Sequence, residues 1–205
     1  MASIDLNQTF YHIPLALHQR QYFAFDYLNK RYCFAYLPFG LTASPRVFLK
    51  SIIKMARQRG IRVVAYLDNI LIMASSKNQL LQHIDYLIEC LQDHGFTINI
   101  KKSCLDPSQV VDYLGFQINS KTMTLKLPKR KIKDLIRECQ KVKLIRSISV
   151  RKLALLIGKI IATTNAILPA RLHSRALLRD KNYGLKKKSW NGTIQLSDES
   201  LIQLE

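Results

Sequence analysis

Apolar and polar positions in the first 120 residues follow two different periods. Short runs rich in β-branched and aromatic residues predict strands, and these runs cover 2–6, 22–25, 32–36, 63–72, 96–99 and 113–118. Apolar residues recur every three or four positions over 45–59 and 77–94. This period predicts two amphipathic helices, the second closed by Gly95. Strands and helices interleaved in this way predict an α+β fold around one sheet.

Beyond Lys121 the pattern becomes helical. A helix is predicted from Pro128 onward, and a second is predicted after Ser149, whose side chain suits an N-cap. A third is predicted over about 169–179. The apolar side of the first of these helices should be buried, and it consists of Ile132, Leu135, Ile136, Cys139 and Val142.

Three segments follow from this change of pattern. Residues 1–120 form the predicted α+β domain, and residues 121–182 form the predicted helical domain. Residues 183–205, in which Lys186–Lys188 lies between two glycines, are interpreted as a linker towards a downstream domain.

Positive charge is concentrated in the helical part of the chain. The formal net charge is +18, and residues 121–190 hold 20 Lys or Arg against three Asp or Glu. Residues 1–120 hold 12 against eight. A charge that only confers solubility would be spread along the chain. A polyanionic partner is therefore predicted, with nucleic acid favoured over a membrane surface.

Cysteine usage and hydropathy restrict the remaining classes of protein. The cysteines form neither a CxxC pair nor a Cys/His cluster, so neither a zinc site nor a disulfide framework is predicted. No apolar run approaches the roughly 18 residues of a membrane span, and the N-terminus lacks the pattern of a signal peptide. We therefore expect an intracellular protein, in the cytoplasm or the nucleus, with no membrane partner.

The run 63–72 carries the first candidate chemistry. Its apolar halves flank the polar pair Asp68-Asn69, which predicts a β-hairpin with a carboxylate at the tight turn. Asp5 lies on another predicted strand, and neighbouring strands could bring the two acids together to bind divalent metal ions. A lone Asp at a strand end is more often a turn or cap residue. The two acids alone leave both interpretations open.

Five segments, in order, resemble the sequence motifs A to E of reverse transcriptases. They are Asp5–Pro14, Leu37–Phe48, Tyr66–Asn69, Gly95–Ser103 and Tyr113–Phe116. The second segment matches closely, whereas the third, Tyr-X-Asp-Asp in the family, carries Asn69 in place of its last acid. The resemblance covers about residues 2–180. It is to the enzymes of retrotransposons, and the tyrosine-recombinase (DIRS-like) group is the expected subgroup.

The resemblance implies a right-hand polymerase with an α+β palm, part of the fingers and a helical thumb. Such an enzyme copies an RNA template by extending a DNA primer with deoxynucleoside triphosphates. Asp5, Asp68 and the Leu6 carbonyl would hold Mg²⁺, or Mn²⁺ in its place, with Asn69 beside them. Lys102 would donate a proton to the leaving pyrophosphate.

The resemblance also implies contacts with the nucleotide and the primer. Phe10 would be the steric gate against a ribose 2′-hydroxyl, although a place in the core explains an aromatic residue there as well. Phe39 and Gly40 would line the incoming base pair, because glycine permits a close approach of the backbone. The primer would contact the other residues of the third and fifth segments, namely Tyr66, Tyr113, Leu114, Gly115 and Phe116.

The basic helical segment would be the thumb, and residues 149–159 resemble the thumb helix that follows the minor groove of the duplex. Phosphate contacts of this kind are sensitive to salt and independent of sequence. The alternative for Lys129, Lys133, Arg137 and Lys141 is that they only form a solvated helix face. The predicted duplex contacts are Lys129, Lys133, Arg137, Lys141, Arg151, Lys152, Gly158 and Lys159.

Two departures from the family lower the expected activity. In the family, strands that grip the triphosphate precede motif A, and no such residues stand before Asp5. Asn69 removes a carboxylate beside two dications, an interaction worth about a few kcal/mol. We therefore expect an impaired RNA-directed DNA polymerase. The alternative is a non-catalytic remnant that only binds template–primer, and the sequence gives no signal for the oligomeric state.

Overall fold

The computed structural model describes residues 1–204. The chain divides into two compact units. Unit 1 consists of residues 1–114 and 118–122, and unit 2 consists of residues 115–117 and the residues from 123 onward. Each unit has a hydrophobic core of its own. Over residues 1–204, none of the helices is both long enough and apolar enough to cross a membrane.

Unit 1 combines a central antiparallel sheet with two helices. Its strands are β1 (Ala2–Asp5), β2 (Ala24–Tyr27), β3 (Lys30–Cys33), β4 (Arg62–Tyr66), β5 (Asn69–Met73) and β6 (Val110–Tyr113). Its α-helices are α1 (Ala43–Gln58) and α2 (Lys77–Asp93), and 3-10 segments cover Thr9–His12 and Leu17–Phe23. The central sheet has the strand order β1-β5-β4, and β2 pairs with β3 in a separate hairpin.

The central sheet is covered by apolar side chains on both faces. Ile70 and Ile72 belong to the main core of unit 1, whereas Leu71 packs with Val111 and Tyr113 in a second cluster. Successive side chains of a strand point to opposite faces. The middle of β5 is therefore buried on both sides, which explains why Ile70, Leu71 and Ile72 are all apolar instead of alternating with polar residues.

The two predicted helices of unit 1 are confirmed, and their apolar stripes build the core. Phe48 of α1 and Leu87 of α2 have no exposed surface. α2 begins after Ser76, whose hydroxyl accepts the Gln79 N–H at 3.2 Å. It ends before Gly95, whose φ of +82° provides the predicted left-handed C-terminal turn.

Two predicted strands of unit 1 differ from the structure. Over 96–99 only Ile98 forms an isolated bridge, because the backbone turns at Asn99, whose carbonyl accepts two of the N–H groups that follow. The predicted strand at 113–118 is split in two. Leu114 and Gly115 have φ of +49° and +78°, and such a left-handed pair reverses the chain.

Unit 2 is mainly helical. β7 (Phe116–Asn119) lies where the chain passes between the units. The elements that follow are β8 (Thr124–Lys126), α3 (Lys129–Ile145), β9 (Ser147–Ser149), α4 (Val150–Ile161), α5 (Arg175–Lys188), β10 (Thr193–Gln195) and α6 (Asp198–Ile202), with a 3-10 segment at Leu168–Ser174. β9 and β10 pair in antiparallel orientation.

Helix α4 supplies the centre of the core of unit 2. Its residues Val150 and Leu153 are fully buried, and Leu177 of α5 is buried with them. Ser149 is the N-cap as predicted, because its hydroxyl accepts the Lys152 N–H at 3.4 Å. The positions of the first two predicted helices of this part are therefore confirmed.

Helix α3 is less buried than its pattern predicts. Ile132 and Ile136 are 39% and 50% exposed, and no residue of this helix is fully buried. Leu135, Cys139 and Val142 pack partly against the core. Only one side of the apolar stripe is covered, so the prediction of a wholly buried stripe is wrong.

The segment predicted as a linker is folded. Lys186–Lys188 form the last turn of α5, where cations interact favourably with the negative end of the helix dipole. Beyond β10, Leu196, Leu201 and Leu204 complete the core of unit 2. The linker interpretation is therefore wrong for 183–204, and Glu205 lies outside the described residues.

Two helical glycines of unit 2 provide a matched test of its packing. A Cβ atom on Gly184 would lie 2.7 Å from Ile194 Cγ2 and 2.9 Å from Val150 Cγ2, whereas one on Gly158 meets no atom within 4 Å. Alanine favours a helix over glycine by about 1 kcal/mol, but overpacking costs about 1–3 kcal/mol. We expect Gly184→Ala to lower the free energy of unfolding and Gly158→Ala to raise it, as measured by urea denaturation. Equal effects of the two substitutions would contradict this packing.

Candidate active site

The pairing of β1 with β5 brings the two predicted acids to one end of the sheet. Asp5 lies directly opposite Asn69 in the antiparallel register. One residue further on, the Leu6 N–H donates to the Asp68 carbonyl at 2.9 Å. The two aspartates therefore lie next to each other, although they are far apart in sequence.

Asp68 lies in a tight turn that the core helps to hold. The β4–β5 hairpin pairs Tyr66 with Asn69, which leaves Leu67 and Asp68 as the turn residues. Leu67 has a φ of +52°, a conformation that costs a residue other than glycine about 1 kcal/mol or more. Its side chain packs against the main core of unit 1, which stabilises this turn.

The acid pair is electrostatically strained. Asp5 is a buried residue, and burial raises the pKa of its carboxyl. The neighbouring charge of Asp68 raises this pKa further, whereas the charge of Lys102 and a hydrogen bond with Asn99 lower it. Repulsion between carboxylates held at one place is the pattern that a bound cation relieves.

Asn69 makes a direct contact with the second acid. Its side-chain Nδ2 donates to Asp68 Oδ1 at 3.0 Å. The amide therefore occupies a hydrogen-bonding position on Asp68 and adds no charge of its own. A carboxylate in its place would instead repel Asp68 unless a cation were bound.

The donor set at this end of the sheet fits a hard divalent cation. Among residues 1–204, no group of three or more His, Cys, Asp and Glu side chains converges. Asp5 and Asp68 nevertheless bring together two carboxylates, close enough for one charge to raise the pKa of the other. Mg²⁺ prefers oxygen ligands, keeps several of its waters and needs only one or two protein carboxylates.

Two residues that support the acid pair were not predicted from the sequence. The Ser103 hydroxyl accepts the Asp5 N–H at 3.0 Å and donates to the Asn99 carbonyl at 2.8 Å. Asn99 also accepts from Ser103 and donates its own N–H to the Asp5 carbonyl at 2.8 Å. Both lie in the segment that resembles motif D, so the resemblance indicated their region. It did not indicate their contacts.

The predicted nucleotide-binding residues form an aromatic group beside β1. Phe10 is only 7% exposed, and its ring centroid lies 5.1 Å from that of Phe39 and 6.2 Å from that of Phe48. Phe39 itself is 57% exposed. Gly40 has a φ of +86°, so its backbone conformation requires glycine, and the space beside it is open. Phe10 is therefore a core residue with little exposed surface.

The two predicted primer-binding tyrosines differ in exposure. Tyr66 is half exposed, whereas Tyr113 is buried. The Tyr113 hydroxyl shares its single proton between the Val64 carbonyl at 3.0 Å and the Asn69 carbonyl at 3.2 Å, and burial raises the pKa of Tyr113 to about 12. Its side chain therefore links the two strands of the β4–β5 hairpin by hydrogen bonding. Of its neighbours in the fifth segment, Leu114 is exposed.

The predicted duplex contacts lie in unit 2, and most of them are exposed cations. Lys141, Lys152 and Lys159 line one cleft of about 570 Å³ between α3 and α4. Acids partly neutralise this surface, since Glu138 pairs with Lys159 and Asp134 pairs with Arg137. The exposed predicted contacts outside this cleft are Lys129, Lys133, Arg137, Arg151 and Gly158.

Comparison with known proteins identifies related sequences. A family model described as reverse transcriptase (RNA-dependent DNA polymerase) matches residues 1–118. The Pro-Pol polyprotein of feline foamy virus is 34% identical over 119 residues, which cover 58% of this chain and 10% of that polyprotein. The Pol polyprotein of the transposon gypsy of Drosophila melanogaster is 30% identical over 118 residues, covering 57% and 11%. The chain thus spans about a tenth of the length of these relatives.

A solved structure shows the same fold. The foamy viral protease-reverse transcriptase in complex with an RNA/DNA hybrid has a TM-score of 0.76 and 19% sequence identity. The match covers 99% of this chain and 26% of that protein. The predicted α+β polymerase fold is therefore confirmed, while the DIRS-like subgroup stays a prediction beside retroviral and gypsy relatives. Members of the matched family use divalent metal ions. The chain belongs to the reverse transcriptase (RNA-dependent DNA polymerase) family.

Proposed function

We propose that this chain is the polymerase part of a reverse transcriptase, which extends a DNA primer on an RNA template with deoxynucleoside triphosphates. The observation that carries the proposal is the meeting of Asp5 and Asp68 at one end of the central sheet. The charge of Lys102 acts on the same carboxyl group. Acids and a cation gathered at one sheet end suit phosphoryl transfer, which needs charge stabilisation and a proton donor.

Asp5, Asp68 and the Leu6 carbonyl are the groups that would hold Mg²⁺, with Mn²⁺ as the alternative. When bound, the ions lower the pKa of the primer 3′-hydroxyl and stabilise the charge on the transferred phosphate. Lys102 is exposed, and its ammonium group would donate a proton to the leaving pyrophosphate. Ser103 and Asn99 fix the backbone of Asp5 and so hold its carboxylate in place.

Selection of the deoxynucleotide is assigned to the aromatic group. Edge contacts with Phe39 and Phe48 fix the ring of Phe10. A fixed ring cannot move aside for a ribose 2′-hydroxyl, which is what a steric gate requires. Phe39 and Gly40 would then face the incoming base pair, and Tyr66 would face the primer end.

Within this proposal, residues 1–120 are the palm with part of the fingers, and residues 121–182 begin the thumb. Residues 183–204 belong with the thumb, because they complete the same core in unit 2. The exposed lysines and arginines of α3 and α4 would contact the phosphates of the template–primer duplex, and Leu114 and Gly115 would contact the primer.

A second candidate function is binding of template–primer without catalysis. Asn69 favours it, because its amide already donates to Asp68 Oδ1 and supplies no negative charge for a metal. In that case the basic surface of unit 2 would bind nucleic acid while the acid pair stayed inactive.

Primer extension on a primed RNA template distinguishes the two functions. We expect slow Mg²⁺-dependent extension by the native chain, and none by Asp68→Ala. Asn69→Asp should raise the rate about 100-fold, which corresponds to about 2.7 kcal/mol of charge stabilisation. Asp85→Ala, which removes an exposed acid of α2, is the matched control and should leave the rate unchanged.

The outcomes of this experiment are distinct. Duplex binding without extension by the native chain and by Asn69→Asp would contradict catalysis and support the binding function. Extension that survives Asp68→Ala would contradict the role of the acid pair.

Thermal unfolding tests metal binding without requiring activity. Ligands that bind only the folded state raise its melting temperature. We expect Mg²⁺ or Mn²⁺ to raise the Tm of Asn69→Asp more than that of the native chain, and to leave Asp68→Ala unaffected. The melting curves are compared with those in the same concentration of Na⁺. Equal shifts in all three proteins would show that the ions bind elsewhere.

Gly158→Ala separates duplex binding from folding. The added methyl group meets no atom of the protein, so it projects from the exposed face of α4. If that face lies against the sugar–phosphate backbone, the methyl group weakens duplex binding by roughly 10-fold even though the helix becomes more stable. Fluorescence anisotropy with a labelled RNA/DNA duplex measures the change. An unchanged affinity would show that the duplex does not lie against this face of α4.

A further inference from the structure

The end of α5 and the loop after it combine exposed aromatic rings with lysines. Tyr183 is 59% exposed and Trp190 is 46% exposed. The Lys187 ammonium lies 4.5 Å from the centroid of the Tyr183 ring, a cation–π contact. Residues 181–195 contain four lysines and no acidic residue. None of these residues lies in the five segments that resemble the family motifs.

The backbone of this loop is fixed against the beginning of α4. The Trp190 carbonyl accepts the Arg151 N–H at 2.9 Å, and the Gly192 carbonyl accepts the Val150 N–H at 3.0 Å. A Cβ atom on Gly192 would lie 2.4 Å from the Lys188 carbonyl oxygen, so the close contact there requires glycine. The loop therefore has a defined structure, and it places Trp190 beside the cations at the start of α4.

We propose that this aromatic and basic surface, formed by Tyr183, Lys186, Lys187 and Trp190, binds a single-stranded stretch of nucleic acid. Exposed aromatic rings among cations are the combination by which proteins hold single strands, since bases stack on the rings and phosphates meet the cations. Paired bases of a duplex are not accessible for such stacking, so the ligand is an unpaired strand. The inference rests on the proposed function only in that the chain binds nucleic acid.

The charge around the loop favours nucleic acid over other partners. The exposed cations Arg151 and Lys152 lie at the beginning of α4, where the backbone N–H of Arg151 donates to the Trp190 carbonyl. Asp180, the nearest preceding acid in the sequence, accepts the N–H and the hydroxyl of Ser197. Its carboxylate is thus hydrogen-bonded to the N-cap residue of α6. An anionic membrane surface could also attract lysines beside a tryptophan, and it is made an arm of the test.

The sequence provides its own probe, because Trp190 is the single tryptophan of the chain. Its fluorescence is recorded while the full chain is titrated with oligo(dT) of about twelve nucleotides, within the usual range of single-strand sites. We expect saturable quenching that follows the anisotropy of a labelled oligonucleotide. Trp190→Ala should weaken binding roughly 10-fold, and Trp190→Tyr should retain most of the affinity because it keeps a stacking ring.

The lysines are tested through the salt dependence of binding. Each phosphate contact to a single strand contributes about 0.7 to the slope of log K against log salt. Lys186→Gln combined with Lys187→Gln should therefore lower the slope by about 1.4. Lys50→Gln combined with Lys77→Gln removes two exposed lysines of unit 1 and should leave the slope unchanged.

The possible outcomes distinguish a failure of the single-strand surface from a failure of the proposed function. Oligonucleotide binding with no quenching, and with full affinity in Trp190→Ala, would overturn this surface and leave the proposed function standing. Failure to bind both the oligonucleotide and the RNA/DNA duplex would overturn both. A change of Trp190 fluorescence with phosphatidylserine vesicles but not with oligo(dT) would show that this surface binds a membrane. That result would also overturn the inference.

Discussion

The pairing of β1 with β5 is the constraint on which the candidate active site depends. Its register sets Asp5 opposite Asn69 and beside Asp68, and burial together with the neighbouring charge of Asp68 raises the pKa of Asp5. A slip of one residue would turn Asp5 to the other face and remove Ile4, which is fully buried, from the main core of unit 1. The apolar pattern that buries β1 therefore also fixes the position of the acid. The same strand register is therefore required both to bury β1 and to place Asp5 beside Asp68.

Local patterns predicted the elements of unit 1 well, because their signals lie within short stretches of chain. The β4–β5 hairpin and both helices of unit 1 follow from periodicity and turn chemistry, as does the cap at Ser149 in unit 2. The support of the site could not be predicted in this way. Tyr113 and Ser103 act through hydrogen bonds to Asn69 and Asp5, which are distant in sequence, and no local pattern encodes such partners.

In unit 2 two predictions were wrong. One rested on the charge composition of the chain after residue 182, and the other rested on the apolar period of α3. Lys186–Lys188 carry the composition of a linker, but the same composition suits the last turn of a helix. Only the pairing of β9 with β10 and the burial of Leu201 and Leu204 show that the chain beyond α5 is folded. The apolar stripe of α3 has the period of a helix, and the helix is present. The period does not indicate how much of the stripe other elements cover. That quantity is set by tertiary packing.

Asn69 lies beside the acid pair, where its amide donates a hydrogen bond to Asp68 and adds no negative charge. The central claim is that Asp5 and Asp68 form one shared metal site. Electron paramagnetic resonance of Mn²⁺ titrated into the chain tests it most directly. We expect saturable binding in the native chain that is lost in Asp5→Asn and equally in Asp68→Asn. Mn²⁺ binding that persists in either variant would contradict a shared site.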